Sequence, residues 1–403
     1  MRWLTLLAFC LVLPACVNQT VKSTSVPQVQ TASTQTSEAL LLDVAIAVFD
    51  PGLEEYEEKK QVYPEVRKAE ARYMPTLLSE AMQNSGAWGA VRVVPSAAQI
   101  TDLMVQGKIL KSNGEELVLQ ITATDSRNYV WLDKSYESNA SSYAYKASRR
   151  TNQDPFQAVY HTIANDLLET LETLQDNDRQ NIRLVSELLF ARSFSDEAFA
   201  GYLATNRQDR YLIMRLPAED DPMLERVRGI RERDHLFIDT MQEYHGDFNV
   251  QMHGPYQEWR KLSYEEAVAL RELRAESTRR LIAGGVAVLA GIYAGSSNDA
   301  SSRAASNVAV IGGGYLLKSG LEKRGEAEIH VQALEELGMS LEAEITPSVI
   351  ELDDRTILLS GNVEDQYSQW RELLAEIYQA EIGGLELPEE STGTLSAPDP
   401  LDD

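Results

Sequence analysis

The chain has 403 residues, more than one hydrophobic core usually organises, so several domains are expected. Its 62 acidic residues against 37 basic ones give a net charge of −25, a surface that repels phosphates and argues against a DNA or RNA partner. Both cysteines, Cys10 and Cys16, lie near the N-terminus, so the body of the chain has no disulfide and no thiol nucleophile.

Arg2 precedes an apolar run from Trp3 to Leu13, interrupted only by Thr5, and Pro14 and Ala15 follow before Cys16. Positive charge, apolar stretch and small residues in that order read as an export leader over residues 1–15. An apolar run of about a dozen residues is shorter than the ~20 that span a bilayer, so removal is expected. Leu13-Pro14-Ala15-Cys16 resembles a bacterial lipobox, with Pro14 departing from the usual Ala, Ser or Thr. The resemblance implies a lipoprotein with a diacylglycerol on the Cys16 sulfur and an amide-linked chain on the new N-terminus. Each buried methylene contributes about 0.8 kcal/mol, so several acyl chains anchor firmly where one does not. Val17 after the cysteine, instead of Asp, implies the outer membrane and a periplasm-facing body. An ordinary secretory leader cut nearby is the other reading of these residues.

Residues 16–38 continue as a stretch dominated by Ser, Thr and Gln, and Val17 to Ser37 holds no aromatic residue, no acid and one lysine. Such a composition predicts a disordered tether. An α/β domain is expected over residues 39–175. It opens with the Val- and Ile-rich run Leu40–Phe49, a buried strand, and then a helix from Val66 to Ser85 with Tyr73, Leu77, Leu78, Ala81 and Met82 at helical spacing. Strands at Val91–Val94, Leu103–Leu110, Leu117–Thr124 and Tyr129–Tyr136 follow, the middle two joined at Asn113-Gly114, a strong hairpin signal. A helix from Pro155 to Leu174 closes the domain.

The succession VAIAVF, helix, SGAWGAVRVVPS, VQGKIL, ELVLQITATD and YVWLDKSY resembles the α/β domain of the curli-secretion lipoprotein family and the N-terminal domain of the Tol-Pal translocation protein. The resemblance covers residues 39–174, rests on strand patterns and implies a fold; the amphipathic hairpins of a curli pore are not evident.

Residues 176–280 read as a charged helical region punctuated by Pro217, Pro222 and Pro255, without a tetratricopeptide-like period. Two segments share the form YxxWRxL: Tyr256, Trp259 and Arg260 in one, Tyr367, Trp370 and Arg371 in the other. Tyr and Trp three apart share a helical face with Arg beside the indole. Two readings stay open, aromatics docked into a core or a shared ligand contact.

Residues 281–322 hold the most unusual pattern. Ala283, Ala287, Gly291 and Gly295, and then Ala305, Ala309 and Gly313, repeat every four residues and form stripes that let helix backbones approach. Fourteen apolar residues make about 21 Å of helix against a hydrocarbon core of ~30 Å, too short for comfortable spanning. A buried helical hairpin, insertion in or on a membrane, and an oligomer-forming stalk are the open readings. The Val308–Gly314 run (VAVIGGG) lacks a phosphate loop's spacing, because Leu317 stands where a third glycine is required.

The five histidines, His161, His235, His245, His253 and His330, form no metal-ligand spacing. His235 and Asp239 stand four apart on a helix and could touch one ion, or simply face solvent. No serine-nucleophile motif is present. A small C-terminal α/β part is expected over residues 323–383 and an acidic disordered tail over 384–403. Taken together, the residues imply an α+β, multi-domain envelope lipoprotein with no cofactor or metal. It would bind or assemble with other envelope proteins, or with its own copies, held to the membrane by lipid. An envelope hydrolase is the alternative, to be favoured by a pocket that joins two carboxylates or an acid and a histidine.

Overall fold

The computed structural model describes residues 20–23, 26–33, 36–54, 63–145, 154–218, 220–293, 332, 348–352 and 355–383. The leader, Cys16, Gly295, Ala305, Ala309, Gly313 and the acidic tail lie outside them. The fold is α+β, built on a six-stranded mixed sheet. Its strands are β1 (Thr20–Ser23), β2 (Val44–Ala47), β3 (Val91–Val94), β4 (Leu103–Ser112), β5 (Glu116–Asp125) and β6 (Val130–Asn139), in the order β1-β6-β5-β4-β2-β3.

Strand β2 is buried at all four residues because it is covered on both faces. Val44 and Ile46 face a core shared with α1 (Pro64–Gln83) and α2 (Gln157–Thr173), whereas Ala45 and Ala47 face Val94, Met104 and Ile238 on the other side. That double burial explains its continuous apolar run, as in parallel sheets generally, and β2 is parallel to both β3 and β4. By contrast β5 alternates, with Leu117, Leu119, Ile121 and Ala123 buried and the residues between them half-buried, because only one face meets helices. Strands β4, β5 and β6 form an antiparallel meander.

The Asn113-Gly114 hairpin forms, but neither residue has a positive φ. Asn113 Oδ1 instead accepts the Glu115 and Glu116 N–H groups at 2.8 Å each. Glycine is needed there for close approach, since a Cβ would lie 2.0 Å from the Arg260 carbonyl oxygen.

After α2 come α3 (Asp176–Phe194), α4 (Asp196–Phe199), the hairpin β7 (Leu203–Thr205) and β8 (Tyr211–Ile213), and α5 (Pro222–Tyr293). The hairpin β9 (Ser348–Leu352) and β10 (Arg355–Leu359) precedes α6 (Val363–Gly383). Helix α5 has 72 residues, about 110 Å at 1.5 Å per residue. Along its course Phe237 joins a second core with Phe190 and Trp370, Ile238 covers the sheet, and Phe248, Met252, Tyr256 and Trp259 pack on α1. Gln242 acts as a substitute strand for the sheet edge: its Oε1 accepts Val93 N–H at 2.9 Å and its Nε2 donates to Val93 O at 2.8 Å, closing an edge that would otherwise offer free backbone groups.

Three sequence expectations are corrected. Part of the tether is fixed: β1 pairs with β6, and Val29 and Ala32 pack on the first core. Neighbouring side chains supply the bonds that its composition could not foretell, Gln30 N–H donating to Asn165 Oδ1 at 2.8 Å and Ser33 N–H to Glu172 Oε1 at 3.1 Å. Pro255 does not end a helix; it lies inside α5, which also runs through the expected boundary at residue 281 into the first small-residue segment. The C-terminal part is not a separate unit, because Leu359, Val363, Trp370 and Leu374 share one core with α3 and α5.

Candidate functional site

A cleft of about 630 Å³ opens between the β3 side of the sheet, α3 and α5. Its floor is set by two acidic residues at the entrances to strands. Asp43, just before β2, accepts the Ala90 N–H on Oδ1 at 2.8 Å and donates its own N–H to Asp102 Oδ2 at 3.0 Å. Asp102, just before β4, is buried, and burial raises its carboxyl pKa while Arg231 opposes the rise.

The walls carry arginines, each already engaged. Arg92 on β3 forks Asp239 on α5, with Nε and Nη2 at 2.5 and 2.9 Å from the two carboxylate oxygens. Arg228 forks Glu187 on α3 at 2.6 and 3.3 Å. Arg231 donates to Ser186 Oγ at 2.5 Å and lies 3.8 Å from Asp102. Arg183 donates to the Glu38 and Leu41 carbonyls at 2.9 and 3.0 Å. These bonds tie α3, α5, the sheet and the segment before β2 together. Between them lie the apolar side chains of Ala39, Leu184 and Leu236, the last 62% exposed.

His235 lines the same cleft as Asp239, so an acid and a histidine do meet in a pocket. Burial, followed by the charges of Arg231 and Arg92, pushes the imidazole down to about 4. It is therefore neutral at neutral pH and a weak base, whereas an efficient general base titrates near the working pH. Asp239 is held by Arg92. No hydroxyl or thiol is among the side chains that line the cleft. Among the described residues, no three His, Cys, Asp or Glu side chains come together to hold a metal ion. The cleft thus joins ten charged or titratable side chains, most of them paired, with the three apolar ones.

The two YxxWRxL segments do not converge. Tyr256, Trp259 and Arg260 are buried between α1, α2 and α5, where Arg260 is 0% exposed, as aromatics docked into a core would be. Trp370 stacks on Phe237 at 4.8 Å, and Tyr367 and Arg371 line a separate cavity of about 190 Å³ beside Asp234. Arg371 lies 4.8 Å from the Phe194 ring centroid and 3.6 Å from Asp234. Ala283, Ala287 and Gly291 fall in the last turns of α5.

Sequence reasoning missed most of the cleft, because Asp43, Arg92, Asp102 and Arg183 come from four separate elements. One signal was present: Arg228, Arg231, His235 and Asp239 recur at three- and four-residue intervals and make one charged helical stripe. No family model matches the chain, and no curated protein and no solved structure is similar to it.

Proposed function

We propose that this protein is a lipid-anchored component of the cell envelope that binds or assembles partner proteins at the periplasmic face of the outer membrane, without catalysis of its own. The observation that carries the reading is the cleft in which all four lining arginines are engaged around exposed Leu236. On this reading Leu236, Leu184 and Ala39 supply the apolar contact and the fixed ion pairs supply the specificity. The leader-like order of residues 1–15 ahead of Cys16 supports the location. Among the described residues no helix is long and apolar enough to cross a membrane.

Two experiments test the parts separately. Growth with radiolabelled palmitate should label the wild type and leave Cys16→Ser unlabelled; label retained in the variant removes the anchor. In-cell crosslinking through a photoreactive residue at Leu236 should give a discrete adduct that Arg228→Glu abolishes. An adduct insensitive to Arg228→Glu, or none, counts against the docking cleft.

Self-association through α5 is a second assembly mode, supported by the continuity of that helix into Ala283, Ala287 and Gly291. Native mass measurement of Gly291→Leu plus Gly313→Leu should show loss of oligomers, and an unchanged mass argues against it. The hydrolase alternative is supported by His235 and Asp239 meeting in one cleft. It requires activity on envelope polymers that His235→Ala removes.

A further inference from the structure

The β7–β8 hairpin and the residues after it depart from the rest of the chain in two ways. In β8, Tyr211 and Ile213 turn inward to the second core. A hairpin covered on one face is expected to be polar on the other. Here Leu212 points outward instead, and Met214 and Leu216 follow it, so that three apolar side chains within five residues are 45%, 63% and 70% exposed. Apolar residues scattered singly on a surface need no explanation, but a cluster of them marks a contact surface.

Charge is the second departure. Residues 206–217 hold three arginines, Arg207, Arg210 and Arg215, against one acid, Asp209, in a chain where acids outnumber bases 62 to 37. Arg210 and Arg215 lie over aromatic rings, each 4.1 Å from the centroid, of Tyr129 and Tyr202 respectively, and none of the three forms an ion pair among the described residues. Glu219, Asp220 and Asp221 follow beyond Pro217, and Asp221 is taken up at the start of α5, its Oδ1 accepting the Met223 N–H at 2.9 Å.

The hairpin docks on the turn between β5 and β6. Asn128 Nδ2 donates to the Asp209 carbonyl at 2.9 Å, and the Tyr211 N–H to the Arg127 carbonyl at 3.0 Å. Tyr129 and Val130, at the same turn, are exposed as well. Strand β1 runs parallel to β6 with Thr20 opposite Ser135, so the chain enters β1 from the side of Val130. Cys16 stands four residues before Thr20, a reach of at most about 14 Å, against the roughly 17 Å from Ser135 back to Val130 along β6. A lipid on Cys16 would therefore hold the body close to the bilayer, by the edge of the sheet whose β5–β6 end carries the hairpin.

We propose that the β7–β8 hairpin seats on the anionic phospholipid surface of the bilayer that holds the Cys16 lipid, a proposal that rests on the reading of Cys16 as acylated. Leu212, Met214 and Leu216 enter the boundary between headgroups and acyl chains, and Arg207, Arg210 and Arg215 meet the phosphates. Apolar side chains buried at that depth and cations beside an anionic leaflet reinforce each other, and the short link to the lipid keeps the surface at high effective concentration. The protein is thereby oriented, with the β5–β6 turn towards the membrane and the β4–β5 hairpin, where Gly114 meets α5, away from it.

The test uses the acylated protein, its Cys16 lipid verified by mass, carrying a thiol-reactive fluorophore at Met214→Cys or, as the control at the opposite end of the sheet, at the exposed Leu110→Cys. Both are reconstituted in phosphatidylcholine vesicles with about a quarter phosphatidylglycerol. Nitroxide-bearing lipid should quench the label at 214 about threefold more than that at 110, and aqueous iodide should show the reverse order. Arg207→Glu plus Arg215→Glu, both at exposed positions, should lower lipid quenching at 214 about twofold with an unchanged thermal midpoint. Equal lipid quenching at the two sites, free access of iodide to 214, or quenching unmoved by the charge reversal in a folded variant would overturn the proposal while leaving the anchor intact, and would leave the surface to a protein partner. A Cys16 found without lipid would overturn the anchor and this proposal together.

Discussion

Breaking the ion pair at the centre of the first YxxWRxL segment should destabilise the fold more than removing any surface bridge. Arg260 is fully buried, its guanidinium 4.0 Å from the Tyr256 ring centroid and 4.7 Å from that of Phe156, with Asp154 as its only charged partner in contact among the described residues. Replacing Asp154 by Leu leaves a cation in an apolar interior, a loss of about 3–5 kcal/mol. Arg260→Met leaves the Asp154 carboxylate with only neutral donors, Gln257 Nε2 at 3.2 Å and the Phe156 N–H at 2.8 Å, and a similar loss is expected. The double variant removes both charges and should be within about 2 kcal/mol of wild type. The coupling energy is then several kcal/mol, large against a typical domain stability of about 5–15 kcal/mol. Urea unfolding followed by circular dichroism on the four proteins of the cycle measures it. Additive single losses, with no coupling, would refute the assignment of this pair as the link between α2 and α5.

Acid should weaken the protein through His245, a buried imidazole with neither ring nitrogen bonded, whose pKa burial and Arg72 push down to about 4. Because the folded value is below the unfolded ~6.5, this stabilising contribution is complete above pH 6.5 and is lost as pH falls towards 4. About 3 kcal/mol is at stake, from 1.36 kcal/mol per unit. Thermal midpoints from pH 7 to 4.5 should fall less steeply for His245→Phe, and an identical slope would contradict the assignment. Asp234, raised to about 6 by burial against the pull of Arg371, works in the opposite sense: its contribution grows as pH falls from 6 towards 4, so Asp234→Asn should steepen the acid loss. Gly114→Ala should lose about 1–3 kcal/mol in urea unfolding because the added carbon meets the α5 backbone; an unchanged midpoint would mean that the hairpin and α5 are not in contact. Trp370→Ala, which removes a buried ring stacked on Phe237, should lose about 3–5 kcal/mol and speed amide exchange in α6, whereas protection equal to wild type would show that this core does not depend on it.

Local pattern determined the α/β framework. The double-sided apolar run of β2, the alternation of β5 and the 3.6-residue spacing in α1 and α2 each record which faces are covered, so strands and helices were readable before their partners were known. The hairpin at Asn113-Gly114 was readable too, though for a different reason: the glycine answers to the backbone of α5, far away in sequence, and not to the turn. Tertiary structure alone decided the rest. Composition marked residues 26–33 as unable to fold by themselves, which holds for a segment in isolation and fails where Asn165 and Glu172 supply its hydrogen bonds. Two segments of one form, YxxWRxL, met different surroundings, Arg260 against Asp154 and Arg371 against Asp234, because the motif specifies a helical face and not what that face meets. The cleft was least legible of all. Its arginines and carboxylates come from separate elements, and the energy of an ion pair depends on distance and burial, neither of which is written in the spacing of residues along a chain.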